Sequence, residues 1–138
     1  MAKVKVKVYR TKIPLPIYGY AVHLIYTDNL EEAFKQEMVN DKLNITWLPG
    51  EGSEGFHVHP KDRNFSYIFL KMGASLDEIV HEAYHGVCGL MKWIGAEYEE
   101  EICAYTIGYL VSLMESDYRD AKKKYEKTKK VLDKTEKV

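Results

Sequence analysis

The residues best suited to do chemistry are His81, Glu82 and His85, in the run His81-Glu82-Ala83-Tyr84-His85. On a helix, positions i and i+4 lie one above the other, so both imidazoles face one zinc ion. Glu82 stands beside them, about 100° around the helix from His81, and is placed to take a proton from water at that ion rather than to bind it. A catalytic zinc takes three protein ligands and leaves the fourth place to water, so a third ligand is required. No histidine follows His85, and the carboxylates that come next are Glu97, Glu99, Glu100 and Glu101. An acidic run at a helix N-terminus also has a purely structural use, complementing the helix dipole while facing water.

The other reactive types carry less. His57 and His59 form His-x-His on a short alternating segment, Phe56 to Pro60, which puts both imidazoles on one face of a strand. Such a pair is able to bind metal, but histidines so placed are more often ordinary surface residues. Cys88 follows His85 by three and reads as a small apolar residue of the helix. With Cys103 it makes only two thiols in a chain that needs no staple, and both are expected to be free in a reducing compartment.

These residues must be positioned by helices and strands that the sequence also marks. Ser75 and Glu78 make a capping box, and a helical pattern runs from Leu76 to about Trp93, ended by Gly95. Gly86 and Gly89 inside it each cost about 1 kcal/mol of helix propensity, so either the helix stops early or a neighbour packs closely there. A further helix is expected from Glu97 to about Met114, followed from Glu115 by a charged, largely exposed helix with Tyr118, Tyr125 and Leu132 along one stripe. Upstream, Lys3 to Tyr9 alternates Lys with Val as a half-buried strand broken by Pro14 and Pro16, and Tyr20 to Thr27 is a second strand. Asp28 with Glu31 signals the cap of a helix over Asn29 to Val39. Asn44 to Leu48 is a short strand, the glycine-rich run Pro49 to Gly55 a loop, and Phe65 to Met72 a stronger strand.

The chain has 138 residues, 46% of them hydrophobic, which is one domain's length with enough apolar content for one core. A net charge of -1 offers no global field for nucleic acid or an anionic membrane. The lysines of the last stretch, Lys122 to Lys130, are interleaved with Glu126 and read as a solvated face rather than a nucleic-acid site. With no apolar run near the ~18 residues that span a bilayer and no signal-peptide pattern, a cytoplasmic protein is expected. The elements make one α+β domain over residues 1–138, with a small N-terminal sheet packed against the His81 helix, a second ligand-bearing helix, and an exposed C-terminal helix.

From Ser75 to Leu110 the chain resembles compact gluzincin-like zinc metalloproteins, including the minigluzincins and short HExxH proteins often encoded by phages and prophages. What recurs in them is HExxH followed by a helix with Glu-x-x-Ala-Tyr-x-x-Gly, here Glu101, Ala104, Tyr105 and Gly108. The resemblance implies a zincin-like fold, zinc as cofactor held by His81, His85 and Glu101, Glu82 as general base, and a peptide or protein substrate. Glu100 stays the alternative to Glu101. Tyr105, one turn beyond Glu101, is able to turn its hydroxyl towards the metal, against the ordinary alternative of packing in the core. Small residues at Ala104 and Gly108 would let the Glu101 face approach the zinc helix. Helices meeting strictly antiparallel at Gly95 would still leave His85 and Glu101 about 6 Å apart in level, which crossed axes or an early helix end would close. The chain is far shorter than the larger gluzincins, with no second lobe to form a deep cleft, so a binding or regulatory role without turnover is the second expectation, and a structural zinc site would need a fourth protein ligand.

Overall fold

The computed structural model describes residues 7–43, 53–95 and 100–136. The elements are β1 (Val8–Leu15), β2 (Tyr20–Thr27), α1 (Leu30–Asn40), β3 (Gly55–Val58), β4 (Phe65–Lys71), α2 (Leu76–Ile94) and α3 (Glu100–Glu136). The four strands form one mixed sheet in the order β1-β2-β4-β3. β2 pairs antiparallel with β1 and parallel with β4, and β3 pairs antiparallel with β4 at the opposite edge. The class is α+β, as the sequence implies.

Apolar periodicity explains which face each element buries. Val22, Leu24, Tyr26, Ile68 and Leu70 alternate on one face of the central strands, against Ile79, Ala83, Val87 and Leu90 of α2 and Leu110 and Met114 of α3. Ile25 and Phe69 point the other way, with Phe56 of β3, and are covered by Leu30, Phe34 and Met38 of α1. Phe56 stacks on Phe69 with centroids 4.6 Å apart, and Phe34 meets Phe56 edge-on at 5.4 Å. The sheet is therefore covered on both faces, which is why Ser66 to Leu70 is buried without alternation.

Several expectations are corrected. The first strand continues through Pro14 to Leu15 instead of stopping before it, because β1 is an edge strand, where a residue with no N–H is tolerated. Its expected start, Lys3 to Val6, lies outside the described residues, as do the strand at Asn44 to Leu48, most of the Pro49 to Gly55 loop, and Glu97. The cap of α1 is Asn29, not Asp28: Asn29 Oδ1 accepts from the Glu32 amide at 3.1 Å, and Thr27 Oγ1 accepts from the Asn29 amide at 3.1 Å. Across Met114 and Glu115 there is no break. α3 is one helix, because a stripe of Cys103, Leu110, Met114, Tyr118 and Ala121 stays buried past that point. Tyr26 Oη donates to the Met114 carbonyl at 3.1 Å, and Tyr118 Oη accepts from the Gly73 amide at 2.6 Å. From Lys122 to Lys130 the lysines are exposed, as expected of a solvated face.

α2 follows its sequence signals closely. Ser75 Oγ accepts from the Glu78 amide, and Gly95 closes the helix at φ 67°. Gly86 and Gly89 do not end it. They are points of close approach, since a Cβ at Gly86 would lie 3.3 Å from Ile68 Cδ1 and 3.6 Å from Leu110 Cδ1. At Gly89 it would lie 2.7 Å from Tyr20 Oη and 3.3 Å from His57 Nε2. Among the described residues no helix is long and apolar enough to cross a membrane.

Candidate metal site

α2 turns Ile79, Ala83, Gly86 and Leu90 into the core, which leaves His81 and His85 on its outer side, while Glu82 is buried beside them. The two histidine Nε2 atoms are 3.2 Å apart. Two imidazole nitrogens bound to one tetrahedral zinc at 2.0–2.1 Å are separated by about 3.3 Å, so the pair is spaced to share an ion. His81 is open to water, its side chain 63% exposed, while that of Glu82 is only 4% exposed. Glu82 Oε1 lies 4.0 Å from His81 Nε2, and its Oε2 is buried with no hydrogen-bond partner.

Burial decides the acidity of Glu82. Loss of water pushes its carboxyl up to about 7, with the Glu78 charge adding to the rise and His81 opposing it. A carboxyl poised near neutrality both accepts and returns a proton, which suits a general base that must later act as acid. His85 is held below the usual imidazole range by burial and by the neighbouring His81, leaving it neutral with a lone pair to give a metal.

β3 supplies the wall of the site. It runs alongside α2 in the same direction: a Cβ at Gly55 would stand 3.3 Å from Glu82 Cγ, and His57 stands against Gly89. His57, expected only as part of a separate His-x-His pair, lies with its ring nearly parallel to that of His85, centroids 5.9 Å apart and planes 12° from each other. Its Nε2 is buried without a partner, and burial, then the nearby His85, His59 and Lys92, push its pKa down to about 3. His59 has a structural job, its Nε2 bonded to the Arg63 carbonyl at 2.9 Å and its ring edge-on to Tyr20. The signal that would have tied His57 to the pair was Gly89, one turn beyond His85, where a missing side chain makes room for a neighbour.

The structure does not bring the other expected residues to this site. Glu101 is exposed in the first turn of α3. Leu110 packs against Gly86, so Glu101, nine residues earlier on a straight helix, lies about 14 Å along the axis from the level of His85. The close approach expected at Gly108 is corrected: nothing stands within 4 Å of a Cβ there, and α3 meets α2 through Leu110 instead. Glu100 shares the exposed first turn. Tyr105 is 77% exposed and lies in a groove with Pro14, Pro16, Tyr18 and Tyr109, at the β1 edge of the sheet, opposite β3. Among the described residues no three His, Cys, Asp or Glu side chains stand within reach of one ion. Cys88 is half-buried and Cys103 buried, both as free thiols.

No known protein family, curated protein or solved structure matches the chain.

Proposed function

We propose that the protein is a minimal zinc-dependent metallopeptidase, in which His81 and His85 hold the metal and Glu82 is the general base. The observation that carries this reading is the 3.2 Å separation of the two Nε2 atoms next to a buried carboxylate whose Oε2 has no partner. Zinc held by His81 and His85 would supply Lewis acidity towards a carbonyl and lower the pKa of water at the site. The rest is the chain's own work. Glu82, dry and near neutrality in its acidity, takes a proton from the attacking water and returns it to the leaving amine. Among the described residues β3 is an edge strand beside that carboxylate, and strand addition there would lay an extended peptide across Glu82. Glu101 is the third ligand that the resemblance to gluzincin-like proteins nominates, and for it to serve, the first turns of α3 have to shift about 14 Å along α2 towards His85 when metal binds.

A second reading is favoured by the openness of the site. His81 faces water, its side chain largely exposed, which suits a metal-binding regulatory protein, such as a phage factor acting on a host protein, as well as it suits an enzyme. One experiment separates the two. Zinc content is measured on protein purified without added metal, and cleavage of a mixed peptide library is compared between wild type and Glu82→Gln. Zinc with cleavage that the variant loses is the result expected. Zinc without cleavage leaves the regulatory reading, and failure to bind zinc at all overturns both.

A further inference from the structure

Past His57, the edge occupied by β3 opens into a cavity of ≈ 460 Å³ lined by His59, Lys61 and Asp62 from the turn after β3 and by Lys92 and Trp93 from the end of α2. Its position relative to the histidine pair follows from helix geometry. Lys92 is ten residues after Glu82 on the same helix, about 15 Å along the axis, a distance that about four to five residues of extended chain would cover. Because β3 and α2 run side by side in one direction, a peptide added to the β3 edge beside Glu82 reaches this cavity without bending away.

The lining selects for negative charge. Lys61 and Lys92 bring two ammonium groups against the single carboxylate of Asp62, and Asp62 sits in a left-handed turn conformation at φ 60°. Trp93, 41% exposed, gives a flat apolar wall for the methylenes of a ligand. The His59 ring is tied to the Arg63 carbonyl, which fixes the His59 side of the cavity. We infer that this cavity is a substrate subsite for a peptide carboxylate about four to five residues from the bond next to Glu82. The inference rests on the peptidase reading for its register, not for its chemistry. A Glu or Asp side chain and a free C-terminal carboxylate offer the same group.

The test uses the full chain as Glu82→Gln, loaded with zinc, and fluorescence anisotropy of labelled octapeptides built from Ala, Ser and Gln. One set carries a single Glu at each position in turn with an amidated C-terminus, and one peptide carries no Glu and a free C-terminus. The expected result is about 10-fold tighter binding for one Glu position, or for the free C-terminus, than for the neutral amidated peptide, weakened by salt and lost in Lys61→Ala/Lys92→Ala. Which set shows the gain identifies the source of the carboxylate. Equal binding of all peptides, no binding of any, or a preference that survives the double substitution overturns the subsite. Zinc binding and hydrolysis without a carboxylate preference remove the subsite alone. If the wild-type protein takes up no zinc and the preference is still seen, the peptidase reading falls alone.

Discussion

The imidazole of His57 on β3 lies nearly parallel to that of His85 on α2, centroids 5.9 Å apart, so the outermost strand of the sheet braces one of the two candidate metal ligands. A braced ligand needs less ordering when metal binds. His57→Ala is expected to weaken zinc affinity by about 3- to 10-fold, measured by competition with a chromogenic chelator, whereas His81→Ala and His85→Ala abolish stoichiometric binding. An affinity unchanged in His57→Ala would mean the stacking has no part in the site.

Glu82→Gln is expected to keep zinc and to lose hydrolysis by about 10²- to 10⁴-fold, because the amide cannot accept a proton. In the metal-free protein the same change should leave the melting temperature equal or raised, since it removes a carboxyl that is buried without a partner. Hydrolysis that survives would take Glu82 out of the mechanism.

Glu101→Ala is expected to reduce zinc affinity by at least about 10-fold, with Glu97→Ala, Glu99→Ala and Glu100→Ala altering it little. Since Glu101 stands about 14 Å from the level of His85, zinc should also change amide exchange over the first turns of α3. Exchange there that is indifferent to zinc, together with full affinity in Glu101→Ala, would place the third ligand elsewhere.

Two glycines that look alike in sequence are expected to respond in opposite directions. Gly89→Ala puts a methyl 2.7 Å from Tyr20 Oη and should lower stability by about 1 to 3 kcal/mol despite its gain in helix propensity. Gly108→Ala meets nothing within 4 Å and should raise stability by about 1 kcal/mol. Chemical denaturation of both variants decides it.

Arg10 pairs with Glu37, whose side chain is 8% exposed. Burial raises the Glu37 pKa, the Arg10 charge opposes that rise, and Asp41 adds to it. A carboxyl with a raised folded pKa favours the folded state most below its unfolded value and loses that contribution as pH rises through the folded one. Arg10→Ala should therefore cost about 1 to 2 kcal/mol near pH 7 and noticeably less at pH 4, read from urea midpoints at the two values. A cost that does not change with pH would show that Arg10 acts through packing.

Much of this arrangement was legible in residue order. β2 spans Tyr20 to Thr27 as its β-branched and aromatic run implies, and α2 begins after Ser75 and ends at Gly95 as its caps imply. The histidine pair shares a face because i, i+4 spacing leaves no other outcome on a helix. What stayed hidden depends on contacts distant in sequence. Asn29 caps α1 in place of Asp28 because Thr27, held in the sheet, bonds its amide. The side of α3 that is buried was set by Leu110 meeting Gly86 and Met114 meeting Tyr26, so Tyr105 and Gly108 face outward although their spacing alone fitted an inward face.

The parallel pairing of β2 with β4 has a consequence for the order in which the chain can assemble. β1 and β2 are joined by a short turn and are able to pair as soon as both exist, but β2 waits for its other neighbour until everything from Asp28 to Asn64, α1 included, has been made. Closing so long a loop is slow, and until β4 arrives the apolar edge of β2 stays open to wrong partners. During synthesis the histidine helix emerges only after the last described strand, so α2 docks on a sheet whose described strands are all present, and only α3 is left to close over the same core.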